Sequence, residues 1–110
     1  MNNIKLNYLY RDGGNYKQFG YVIFSNPNRV DIKIIGAIIN ESLIDGEFFI
    51  AEKWEVPSLF FEVQNEDDHA WHEFESIEIT NESPNTALAI EDFISTLEKV
   101  LPTANRSSVY

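Results

Sequence analysis

The chain has 110 residues, is 44% apolar and 14% aromatic, contains no cysteine and carries a net charge of −10. That composition excludes wholesale disorder and fits one domain with a buried core. It also excludes a disulfide framework and thiolate chemistry, and no run approaches the roughly 20 apolar residues of a membrane span.

The elements follow in chain order. Ile4, Leu6, Tyr8 and Tyr10 alternate along one face of a strand. Arg11 to Asn15, with Gly13 and Gly14, reads as a turn. Phe19 to Phe24 is β-branched and aromatic on both faces, which predicts a covered strand hairpinned to the first, and Asn26-Pro27 stops it. Asn28, with Asp31 three residues on, is a helix N-cap candidate. Ile34, Ile35, Ile38, Ile39 and Leu43 then fall on one stripe, predicting a helix over about 29–44 that ends at Asp45-Gly46. Glu47 to Ala51, Ser58 to Val63 and Trp71 to Thr80 read as three more strands, with an acidic loop from Gln64 to Ala70. Ile90, Phe93, Ile94, Leu97 and Leu101 form the cleanest helical stripe, closed by Pro102.

The predicted order is β-β-α-β-β-β-α. It implies an α+β two-layer sandwich in which two helices pack on an antiparallel or mixed sheet. Residues 1–102 form the expected single domain, and 103–110 the expected flexible tail. Met1 to Lys5 lacks the basic head and apolar run of a secretory signal, so a cytoplasmic location is expected.

Charge is unevenly spread. Residues 1–40 hold five Lys or Arg against two Asp, whereas residues 41–102 hold sixteen carboxylates against two Lys. From Glu62 to Glu82 there are eight carboxylates and no Lys or Arg. Such a surface repels phosphate backbones, so no direct nucleic-acid binding is expected. It would speed the encounter with a basic protein, although acidity also serves plain solubility.

The segment EDDHAWHEFE, residues 66–75, concentrates five carboxylates, both histidines and one of the two tryptophans. Three readings apply. Glu66, Asp67, Asp68, Trp71, Glu73 and Glu75 would form a recognition surface for a protein partner. Asp67, Asp68, His69, His72 and Glu73 would instead supply nitrogen and oxygen ligands to a metal, or to a small metal-assisted hydrolase. The blandest reading is a solvated acidic loop. HExxH is absent, and the histidines convergе only if both lie on one side of their segment. Glu73 and Glu75 would share a face with Ile77 and Ile79 unless a β-bulge near Phe74 turns them to solvent and seats Phe74 in the core. No catalytic set is recognisable: the chain has no GxSxG elbow and no phosphate loop. No cofactor is expected.

The paired rings Phe48-Phe49 and Phe60-Phe61 send one ring to each face of a sheet. With five tyrosines and two tryptophans, they fit a homodimer, a partner face or a thick core. A Tyr- and Trp-lined ligand pocket is a further reading.

Across KLNYLYRDGGNYKQFG, FSNP, LIDGEFFIAEKW and DHAWHEFESIE, about residues 4–80, the chain resembles a group of small uncharacterised bacterial proteins. The resemblance implies no activity, cofactor or site residue. The sequence thus leans toward a small acidic interaction protein of accessory, inhibitor or immunity type, with metal binding as the alternative.

Overall fold

A computed structural model describes residues 2–61 and 69–100. The fold is α+β. Strands β1 (Asn3–Arg11), β2 (Lys17–Phe24), β3 (Phe48–Phe49) and β4 (His72–Thr80) form a curled antiparallel sheet in the order β2-β1-β4-β3. Helices α1 (Ile32–Ser42), α2 (Ala51–Trp54) and α3 (Ile90–Lys99) complete the described elements. Among the described residues, no helix is long and apolar enough to cross a membrane.

The expected hairpin forms, with Ile4 opposite Phe24 and Leu6 opposite Val22. Asp12 builds the turn, its carboxylate accepting from the Gly14 and Tyr16 amides at 2.9 Å. The alternation of β1 then sorts the sheet. Ile4, Leu6, Tyr8 and Tyr10 are buried, and all but Tyr10 belong to the main core with Val22, Phe24, Ile35, Ile39, Phe49, Trp54, Phe93 and Leu97. All three helices contribute to that core, so they lie on one face of the sheet.

Three expectations need correction. The first helix starts at Ile32, capped by Asp31 rather than Asn28. Asn26 pairs with both backbone groups of Val30 and Arg29 takes φ 51°, so residues 26–30 close a turn before any helix can begin. Second, the strand expected over 47–51 shrinks to Phe48–Phe49 and is followed by α2. Glu55, at φ 58°, ends this single turn with its N–H on the Ala51 and Glu52 carbonyls. The turn carries Trp54 into the core, stacked on Phe49 at 4.1 Å.

Third, the strand expected over 58–63 does not form across 58–61; residues 62 and 63 lie outside the described residues. Polar groups hold this stretch across the helix-bearing face instead of along a sheet edge. The Tyr8 hydroxyl donates to the Pro57 carbonyl at 2.6 Å, and the Gln18 amide donates to the Leu59 carbonyl at 3.2 Å. The described order is therefore β-β-α-β-α-β-α, with four strands and three helices in place of five and two. The β-bulge expected near Phe74 does form on β4, at Glu75, and Phe74 packs against the core. Tyr8 faces Phe74 and Asn7 faces Ser76, leaving Glu75 unpaired in the ladder. That extra residue switches the alternation, so His72, Phe74 and Ile77 share the core side of β4.

α3 forms where its stripe predicts, the Asp92 carboxylate accepting the Ala89 amide at 2.9 Å. Residues 103–110 lie outside the described residues.

Candidate interaction face

Three helices on one side leave the other side of the sheet without a helix among the described residues. Its residues follow from the ladder. β2 supplies Phe19 and Tyr21, β1 supplies Lys5, Asn7, Leu9 and Arg11, and β4 supplies Glu73, Ser76 and Glu78. Phe48 pairs with Glu73 and packs at a tilt against Trp71, ring centroids 5.4 Å apart, at the far margin. Phe19 is 60% exposed, Tyr21 49% and Trp71 39%. Rings this open are unusual on a sheet face facing water on its own, where polar residues alternate outward.

The charges on this face are partly neutralised. Arg11 grips Glu73 with two hydrogen bonds, at 2.8 and 3.2 Å, and donates to Asn15. The Glu73 carboxylate beside it holds the Arg11 guanidinium even more firmly charged. Lys5 bonds Glu82 at 3.0 Å and lies over the Tyr21 ring. This bond lifts the lysine above its ordinary range and lowers the Glu82 carboxyl. Glu78 accepts from Asn7 at 2.9 Å, and Glu75 projects at the bulge, exposed. Neither has a cation paired to it among the described residues. The face is thus aromatic at both margins and acidic along β4.

The sequence-predicted site residues separate. Glu66, Asp67 and Asp68 lie outside the described residues. Trp71 and Glu73 do reach one face, but Glu73 is engaged with Arg11, and Glu75 is exposed at the bulge. His69 and His72 part company: His69 is exposed and accepts from the Trp71 amide at 3.1 Å, whereas His72 has no exposed surface. The Tyr10 ring contacts both imidazoles, at 5.5 and 5.1 Å, and its hydroxyl donates to the His69 carbonyl. Nε2 of His72 is already occupied, accepting from the Leu59 amide. Among the described residues, no group of three or more His, Asp or Glu side chains could hold a metal ion. Phe19 and Tyr21 were missed as site residues, because an exposed ring and a covered one read alike in an apolar run.

The chain matches no protein-family model, no curated protein and no solved structure.

Proposed function

We propose that the protein works by binding a basic protein partner across the helix-free face of its sheet, in a cytoplasmic setting. The carrying observation is the combination of open rings at Phe19, Tyr21 and Trp71 with unpaired acids at Glu75 and Glu78. Aromatic anchors supply desolvated contact area, and a like-signed margin steers an oppositely charged partner. The net charge of −10 favours the same partner chemistry at longer range.

Affinity purification from the native host tests this reading, comparing wild type with the triple variant Trp71→Ala, Glu75→Gln, Glu78→Gln. A basic protein retained by the wild type and lost by a folded triple variant supports the assignment. Equal retention by both proteins removes it.

A further inference from the structure

β2 is an edge strand, and its outer side is only half covered. At Ile23 the N–H donates to Oδ1 of Asn85 at 2.8 Å, and the carbonyl accepts the Asn85 amide at 3.2 Å. Ile23 therefore aims its backbone away from β1. By the two-residue period of an antiparallel ladder, Tyr21, Phe19 and Lys17 do the same. Residues 85–89 cover the strand's C-terminal end: Ser25 bridges Ala89 in parallel, and Ile90 donates to the Ser25 carbonyl at 2.8 Å. The Asn85 side chain closes this cover, its amide reaching the Tyr21 carbonyl at 3.5 Å. Toward Lys17, the outward Tyr21 N–H and both outward groups of Phe19 have no partner among the described residues.

Where the cover stops, a cleft of about 280 Å³ opens, lined by Tyr21, Val22, Glu55, Val56, Pro57, Asn85 and Thr86. Val22, Val56 and Pro57 give it apolar walls. Glu55 brings a carboxylate, one oxygen of which takes the Thr96 hydroxyl at 2.8 Å. Apolar walls with an acid suit a lysine or arginine, whose methylene stem can lie along them while the cation meets the carboxylate.

We propose that the free edge of β2, Lys17 to Tyr21, accepts an extended segment of a basic protein as an added strand, with one of its lysine or arginine side chains in the Glu55 cleft. Main-chain hydrogen bonds would supply affinity and the cleft would supply specificity, as in strand addition generally. The proposal rests on the partner-binding reading and names its mode. A second copy of the chain fits less well, since each carries −10 and the two repel.

The test uses the full chain and three synthetic peptides: alternating threonine and lysine, the same with glutamate for lysine, and the lysine peptide with N-methylated backbone. Only the first should bind and slow hydrogen exchange at the Phe19 and Tyr21 amides. Phe19→Pro removes an N–H that points away from β1, so the hairpin survives, as thermal unfolding will check. It should weaken the lysine peptide by about tenfold or more, and by clearly more than Phe19→Ala, which loses the same ring but keeps the N–H. Glu55→Gln should narrow the preference for lysine over glutamate.

Equal binding of the N-methylated peptide, indifference to Phe19→Pro, protection elsewhere, or no binding of the lysine peptide would each overturn the proposal. Protection of these amides that appears with dimerisation alone would assign the edge to a second copy and overturn it too. If the native partner is lost with the Trp71, Glu75, Glu78 variant yet kept by Phe19→Pro, the binding face stands without the edge. Loss with neither variant removes both.

Discussion

The Leu59 backbone amide donates to Nε2 of His72 at 2.9 Å, tying an irregular segment to a side chain on β4 that has no exposed surface. Four rings surround the imidazole, those of Tyr8, Tyr10, Phe49 and Phe60. An Nε2 acceptor puts the neutral imidazole's proton on Nδ1, which makes no well-formed hydrogen bond. Burial holds the imidazole below its ordinary range. The Ala70 backbone works against that shift, and the nearby His69 adds to it. The Tyr8 phenol, pushed up to about 12 by burial, stays neutral alongside.

A pH dependence follows. Unfolded, His72 titrates near 6.5; folded, it titrates lower. Between those values the unfolded chain binds the extra proton. The contribution is therefore fully present above the unfolded value and is lost as pH falls through it. His72→Gln can still accept from Leu59 but cannot titrate. Urea unfolding from about pH 7 to about pH 5 should show wild type losing more stability than this variant. Parallel pH profiles would show that His72 is not the group responsible.

The two tryptophans should behave in opposite ways. Trp54 is buried, stacked on Phe49 and edge-on to Phe93 at 5.7 Å. Trp54→Ala should cost about 3–5 kcal/mol of folding stability. Trp71 sits half-exposed on Phe48, and Trp71→Ala should cost about 1 kcal/mol or less. Denaturant midpoints of the two variants measure the difference; a large loss at Trp71 would place its indole in the core.

Leu59 also bears on Gly20. A Cβ at Gly20 would come within 2.7 Å of the Leu59 Cδ2 and 3.0 Å of Cδ1. Gly20→Ala should therefore cost about 1 kcal/mol, because Leu59 must shift in a packed site. Combined with Leu59→Ala, which empties that space, the loss should be smaller than the sum of the two single losses. Strict additivity would mean that the side chains do not meet.

Deleting Glu75 should be tolerated. It removes the unpaired residue of the bulge and leaves Phe74 opposite Tyr8 and Ser76 opposite Asn7. Deleting Glu73 should shift His72 out of its buried position and cost several kcal/mol, roughly the upper range for single changes. Circular dichroism and thermal unfolding separate these outcomes, and equal damage from both deletions would argue against the bulge.

The extended alternation of β1, the apolar run of β2 and the stripes of α1 and α3 were legible because each pattern spans enough residues to establish a period. The four residues of α2 were too few to do so. At 58–61 the apolar content of a strand was present, but hydrogen bonds donated by Tyr8 and Gln18 and one accepted by His72 decide that the segment crosses the sheet. Site composition was likewise readable as acids, rings and two histidines in ten residues. Their orientation was not, because one unpaired residue at Glu75 changes which side of β4 faces the core. That register depends on the neighbouring strand, so burial of His72 and exposure of Glu75 were decided only when β1 paired with β4.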